Sequence, residues 1–593
     1  MFFLAVPLAP ARSADRLVPL DLDQIELGGL IGRRIQITVD NNLLVLDVDK
    51  DFLLPFQKRD ARTSYIGLGK LIDSLARFST YTADQRVSAR KKHVVDAIIK
   101  TQEPDGYIGL FPPDKRMWQL WDVHEMSYLV YGLTSDYQLS GNKPSLDAAR
   151  RLADYIIARW SAEPEKKPGG DTLTVHMAVT GLERAMLALN RQTGDRRYLD
   201  FCLKHRMLPD WNLPIVLGRW GRIEGHAYAY FAHCLAQLEL NRMEPDEKLL
   251  GPTRRAMSFL TRQDGLVITG ACGDHECWHD TQQGTINLGE TCATAYLIRV
   301  LDALLRLEGD SRHGDVMERA IYNTLFAAQS PDGRRIRYYT PFDGPRAYFK
   351  GDTYCCPNNF RRIIADLPAM VVYRSGGGVA VNLYTPSTAK LQLNDGVSLT
   401  LRQETDYPNS GRVVIHVGPS KPVEFPLSLR IPSWCPKATI AVNGERIGKP
   451  IPGGSFFPIN RQWTPGSRVQ LDMPMAWRLV KGRKAQAGRV AVMRGPLVFC
   501  LNPAKNDKLA GVDLRLLTVD PESLEGPIPS DAVRPDGLAC RIRAWGPGRW
   551  YPMAKTDLEL VLTEFADPDG QAAYFHVPNP NAELFVEDEL VRP

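Results

Sequence analysis

Between about Ile66 and Val372 the chain repeats a unit of roughly 50 to 57 residues, and that period limits what it can fold into. Residues 93–101, 146–160, 178–189 and 293–307 carry apolar side chains at i, i+3, i+4 and i+7, the spacing of one helix face. Turn signals separate them. Ser140-Gly-Asn-Lys-Pro-Ser-Leu-Asp, Thr193-Gly-Asp-Arg-Arg-Tyr-Leu-Asp and Glu308-Gly-Asp-Ser-Arg-His-Gly-Asp resemble one another. In each, a glycine (Gly141, Gly194, Gly309) closes one helix and a second begins at once. These glycines lie 53 and 115 residues apart, and the longer gap is close to two periods. A weaker copy, Asn241-Arg-Met-Glu-Pro-Asp, fills the missing place. The region holds about six αα-hairpins at this period, enough to close into an (α/α)6 toroid of inner and outer helices. An open superhelix of hairpins is the competing arrangement.

After Val372 the period changes. Ser375-Gly-Gly-Gly reads as a linker, and residues 379–383, 397–403, 413–417, 438–442 and 469–473 alternate as strands. Asn443-Gly444 is a hairpin turn signal. The predicted fold class is multidomain α and β: an (α/α)6 helical toroid followed by C-terminal β-sandwich domain(s). Residues 16–60 are expected to supply N-terminal strands, around 34–49, that pack on the β-region. Residues 61–374 form the barrel, 375–503 a β-sandwich, and 504–593 a second small β-domain. Residues 1–15 have a short apolar run and then Ala-Arg-Ser-Ala, which looks like a signal-peptide cleavage site without a basic n-region. They suggest export to a periplasmic or extracellular space.

Composition narrows the partners. A net charge of +5 over 593 residues, with no long Lys/Arg run, gives no footprint for nucleic acid or an anionic membrane. No stretch of 18 apolar residues offers a membrane span. Ten cysteines are too few for a disulfide scaffold, and Cys202, Cys234 and Cys500 sit singly in apolar stretches. A weakly charged small substrate fits best. The sequence does not give the oligomeric state.

Two constellations stand out. His124, His176 and His226 lie 52 and 50 residues apart, and a further 50 residues reach Glu276. In a closed toroid such equivalent positions converge on the central pit, where three imidazoles and a carboxylate make a cup suited to a sugar. The plainer alternative for each histidine is a satisfied core residue. The second set is Glu290-Thr291-Cys292 with Cys355-Cys356-Pro357. One carboxylate and three thiols are donors that zinc accepts. A vicinal disulfide and ordinary buried thiols compete with that reading, and Glu290 could instead cap a helix starting near Cys292.

Cys355-Cys356-Pro357-Asn358-Asn359 resembles the Cys-Cys-Pro-Pro-Asn motif of glycoside hydrolase family 127, the β-L-arabinofuranosidases and their relatives. Glu290-Thr-Cys-Ala293 and Asp315-Val-Met-Glu-Arg-Ala-Ile-Tyr-Asn323 look alike too, as do Trp121-Asp-Val-His-Glu-Met and Gly225-His226-Ala227. The resemblance covers about residues 105–503. It implies an (α/α)6 barrel with β-sandwich domains and a Zn2+ held by one Glu and three Cys, here Glu290, Cys292, Cys355 and Cys356. It implies that Cys355 is the nucleophile of a retaining exo-glycosidase. The acid/base glutamate of that family stands in Gly-Glu-x-Phe, and the nearest match is His275-Glu276-Cys277-Trp278. His124, His176 and His226 would then read the sugar of an oligosaccharide or glycan-derived substrate.

There are departures. His275 replaces the glycine, and the stretch from Glu276 to Glu290 is about two residues shorter. Thr174-Val-His-Met-Ala lacks the Gly-His-Pro-Glu pattern, and Thr353 stands where relatives often have a third nearby cysteine. These alter the sugar-reading shell more than the metal set. Two alternatives therefore stay open. One is the same chemistry on an acidic or branched pentose; the other is a non-catalytic carbohydrate-binding protein with a structural zinc.

Overall fold

The structure, a computed structural model, describes residues 15–60, 65–170, 175–220, 223–393, 396–506, 508–548 and 555–591. The leader reading at 1–15 lies outside the described residues except for Asp15.

Six helices make an inner ring: Leu68–Thr82, Asp122–Ser140, Leu182–Thr193, Ala227–Met243, Thr291–Glu308 and Cys355–Asp366. Each packs on the next and the last packs on the first, so the ring closes and the open superhelix is excluded. Gly67 sits at the seam. Its φ of +84° and an Asn358 Nδ2 atom 2.4 Å from where a Cβ would stand leave room only for glycine. Five outer helices follow their inner partners: Gln85–Ile99, Lys143–Ala162, Arg196–Asp200, Gly251–Arg262 and Ser311–Ala320. Gly141, Gly194 and Gly309 end inner helices with φ near +70°, as the turn motifs predict.

The N-terminal segment departs from expectation. The strands expected around 34–49 are instead the helix Gly29–Asn41, which packs on Cys355–Asp366 and supplies the sixth outer helix. Locally, Arg34-Ile-Gln-Ile-Thr-Val alternates like a strand. Its buried residues Ile31, Ile35, Thr38 and Val39 nevertheless follow helical spacing, and tertiary packing overrides the β-branched preference. The N-terminal strands are Leu17–Pro19 and Ile25–Leu27. They pair antiparallel with Val372–Ser375 and Ser387–Gln392 and tie the start of the chain to the β-region.

That region has two sheets, built from residues 372–472 and the two N-terminal strands. A five-stranded sheet runs Leu17–Pro19, Val372–Ser375, Gly378–Val381, Val423–Ile431, Ser455–Trp463. A seven-stranded sheet runs from Glu445–Arg446 through Thr439–Val442, Ser467–Asp472, Arg412–Pro419, Ser398–Thr405 and Ser387–Gln392 to Ile25–Leu27. The Ser375-Gly-Gly-Gly segment is no linker: Gly376 and Gly377 turn a tight hairpin, with Ser375 opposite Gly378. The last sheet has nine strands and starts at Trp477–Lys481, not after residue 503. Arg489–Arg494 and Leu497–Leu501 also belong to it, since they pair with Tyr574–His576 and Leu558–Glu564. No turn composition marks this change of sheet, because strand partners are chosen by distant residues. Arg483 donates to the Leu266 carbonyl at 2.8 Å and Lys484 to Asp280 at 2.6 Å, so this sheet braces a long toroid loop. No described helix is long and apolar enough to cross a membrane.

Candidate active site

A cavity of about 150 Å³ is lined by residues at or near the N-terminal ends of the first, second, third, fourth and sixth inner helices. Tyr65 precedes the first helix, His124 is the third residue of the second, and Met177 lies just before the third. His226 caps the fourth, Glu290 the fifth, and Cys355 opens the sixth. The second helix end gives Trp121 and His124 to the lining and the sixth gives Tyr354 and Cys355, while Glu290 at the start of the fifth lies buried behind them. The partial positive charge of these termini favours anions there.

Glu290, Cys292, Cys355 and Cys356 offer ligand atoms that all lie within 4.8 Å of one another. Cys292 Sγ is 3.2 Å from Cys356 Sγ, which is 3.6 Å from Glu290 Oε1. Asn359 donates Nδ2 to Cys292 Sγ at 3.1 Å. Glu290 makes no side-chain cap bond, and its buried Oε2 has no hydrogen-bond partner. All ten cysteines are free thiols, so Cys355 and Cys356 are not a vicinal disulfide. A buried carboxylate oxygen left without a donor, facing three sulfurs, fits a thiophilic cation. Cys355 differs from the other three in being partly exposed and lining the cavity. Burial opposes its ionisation, yet hydrogen bonds from the Cys292 and Cys356 thiols and the nearby Lys70 charge hold its pKa well below that of a free thiol. Tyr354, just before it, has φ +85° with an extended ψ, a strained backbone immediately ahead of Cys355.

Glu276 reaches the same cavity by another route. It sits in a two-residue turn closed by the reciprocal bonds of Asp274 and Cys277, with φ +48° at His275 and +70° at Glu276. The glycine expected at position 275 would adopt that conformation at no steric cost. The count of 50 residues to Glu276 is therefore not a repeat relation; the helix-start equivalent is Glu290. Tyr338 donates to Glu276 Oε1 and lies 3.4 Å from Cys355 Sγ. Arg219 pairs with Glu276 Oε2 and, at 3.1 Å, with Glu224. Burial and the Cys355 charge raise the Glu276 pKa, against the Tyr338 bond and Arg219.

The histidines divide. His124 and His226 line the cavity. Neither ring nitrogen of His124 meets a hydrogen-bond partner of good geometry, and burial keeps it neutral. Burial pushes His226 down to about 3, and its Nε2 is 3.7 Å from Glu276. His176 is not among the lining residues. It stacks on His233 at 4.6 Å, next to Trp211, and its neighbour Met177 takes the place at the cavity. Sequence reading missed Tyr338, Arg219 and Tyr65; nothing in their spacing marks them, since each reaches the site on a connecting segment.

Residues 52–369 match the description "Beta-L-arabinofuranosidase, GH127 catalytic domain", which is more than half of the chain. The chain belongs to glycoside hydrolase family 127. Residues 378–475 match the GH127 middle domain. A non-reducing end β-L-arabinofuranosidase of Bifidobacterium longum is 25% identical over 510 residues, 74% of this chain and 75% of that protein. A GH127 β-L-arabinofuranosidase structure from Geobacillus stearothermophilus T6 aligns with a TM-score of 0.78 at 22% identity, covering 93% of this chain and all of the other. A further GH127 β-arabinofuranosidase structure gives 0.80 at 21%, with 95% and 98% covered. This GH127 chain is thus a glycoside hydrolase that acts on glycan substrates, with the toroid and β-sandwich architecture of those structures.

Proposed function

We propose that this GH127 enzyme is a retaining β-L-arabinofuranosidase that removes non-reducing terminal sugars through a cysteine nucleophile. The observation that carries the reading is Tyr338, whose hydroxyl touches both Cys355 and Glu276 at one cavity wall. A nucleophile and an acid/base separated by a single phenol suit attack and protonation on one glycosidic bond. Cys355 as thiolate attacks the anomeric carbon while Glu276 protonates the departing oxygen. The C–O bond breaks and a thioglycosyl bond forms. Glu276, now a carboxylate, takes a proton from water; the water oxygen attacks the same carbon, and the Cys355 thiolate leaves.

Glu290, Cys292, Cys355 and Cys356 would hold a zinc ion, whose chemistry is to keep the thiols deprotonated near neutral pH. A structural zinc is closed on all sides; the open face of Cys355 beside Glu276 speaks for catalysis instead. Arg219 in the cavity wall favours a second reading, an acidic pentose whose carboxylate the guanidinium would meet. Hydrolysis of a panel of neutral and acidic aryl pentofuranosides, with the anomeric product followed by NMR, tests both. Retention on β-L-arabinofuranoside is the expected result. Inversion would remove the covalent mechanism, and turnover restricted to acidic sugars would select the second reading.

A further inference from the structure

One turn below the ligand-bearing helix ends lies a layer of tyrosines. Tyr128 is four residues after His124, Tyr296 four after Cys292, and Tyr228 two after His226. One helical turn is about 5.4 Å, so this layer forms the floor of the site. The Tyr128 hydroxyl is 2.7 Å from both the Tyr228 and Tyr296 hydroxyls. Into this layer projects Lys70, from the first inner helix, fully buried at 0% exposure. Its ammonium donates to Tyr228 Oη at 2.8 Å and lies 4.2, 4.9 and 5.0 Å from the ring centres of Tyr128, Tyr228 and Tyr65. No ion pair joins it to a carboxylate among the described residues. The other buried cation of the layer, Arg362, has its own partner in Asp73 at 2.7 Å. A buried charge without a counter-ion is strongly unfavourable, and three aromatic faces with one hydrogen bond offset only part of that. The groups that face Lys70 from the neighbouring elements are the neutral His124, the Arg362 guanidinium, the sulfurs of Cys292 and Cys355, and Tyr296, whose pKa falls to about 7 because the Arg362 and Lys70 charges outweigh its burial. A divalent ion held by one carboxylate and three thiolates is a net anion.

We propose that Lys70, caged by Tyr65, Tyr128 and Tyr228, is the fixed counter-charge of the Glu290–Cys292–Cys355–Cys356 metal centre and raises its affinity for the ion. Lys70 is a positioning residue: it touches neither substrate nor metal and acts through the field it places under the sulfurs. This rests on the metal reading above, and the test separates the two. The zinc dissociation constants of wild-type, Lys70→Met and Lys70→Gln are measured by chelator competition, beside the melting temperatures of the zinc-free forms. Both neutral variants are expected to bind zinc at least about tenfold more weakly, as loss of a buried favourable charge requires. Because Met and Gln differ in shape and polarity, a shared loss reports the charge; a loss in one alone would assign it to packing and overturn the inference. If wild-type and both variants bind zinc equally, the inference fails while the metal reading stands. If wild-type takes up no zinc, both fail. If neither variant folds with zinc in excess, Lys70 serves the fold and the inference falls.

Discussion

At the residue scale, the roles proposed for Cys355, attack on the anomeric carbon, and for Glu276, protonation of the departing oxygen, can be told apart by the leaving group. A nitrophenolate leaves without protonation, whereas a sugar alkoxide does not. Glu276→Ala is expected to lose about 10²–10⁴-fold on an alkyl-type glycoside and much less on a nitrophenyl one, while Cys355→Ala fails on both. Steady-state rates on the matched pair of substrates check this; near-normal turnover in Cys355→Ala would make any metal there structural. Tyr338 offers a second test, because its one hydroxyl hydrogen goes to Glu276 and lowers the pKa of that carboxyl. On the proposed mechanism Glu276 is protonated in the free enzyme, which sets the alkaline limb of kcat/KM. Tyr338→Phe removes the bond and raises this pKa, so the alkaline limb is expected to move to higher pH, by about one unit or less for one lost hydrogen bond. An unmoved alkaline limb would show that the phenol does not act on the acid.

At the scale of elements, the seam between the first and second inner helices is held by Glu125. From the helix Asp122–Ser140 it accepts the backbone N–H of Ile66 and Gly67, at the start of Leu68–Thr82. Burial raises its pKa to about 7. The folded chain then keeps a proton that the unfolded chain releases near its ordinary value. Its contribution is fully present below about pH 4.5 and declines as pH rises to about 7, a change of roughly 3 kcal/mol. Glu125→Gln cannot titrate, so its stability relative to wild-type is expected to rise across that window by about that amount. Urea melts of both proteins at about pH 5 and pH 8 measure the difference; a constant gap would mean that Glu125 is ionised in the fold.

For the whole molecule, toroid and sandwich are joined through a buried charge cluster. Arg430, on Val423–Ile431, pairs with Asp315 and with Glu318 at 2.7 Å, both on the outer helix Ser311–Ala320. Arg430 is 0% exposed, and Ser433 and Tyr407 also bond these carboxylates. Arg430→Met leaves two buried carboxylates without their cation and is expected to destabilise by about 3–5 kcal/mol. Calorimetry is expected to show the β-region melting ahead of the toroid in this variant. A single unshifted transition would show that the apolar contacts alone couple the two.

The sequence by itself determined the inner ring, because a helix face and its glycine stop are local signals that recur once per hairpin. It also offered Glu290, Cys292, Cys355 and Cys356 as a metal set, through their donor types and the resemblance to family 127 rather than through the repeat. It did not determine what the connecting segments do. Tyr338, Arg219 and Glu276 reach the cavity on connecting segments, and the one that carries Glu276 is pinned by Arg483 and Lys484, between two strands of the last sheet and more than 200 residues further along. Gly29–Asn41 became a helix and Trp477–Lys481 left the sandwich for the same reason. A segment whose local preference is weak takes the conformation that buries its apolar side against a surface made elsewhere in the chain. His176 shows the limit from the other side: it sits close to the expected phase, yet its imidazole stacks on His233 and the adjacent Met177 lines the cavity. Periodicity carries the height of a residue along the toroid, and only the packed structure decides which way its side chain faces.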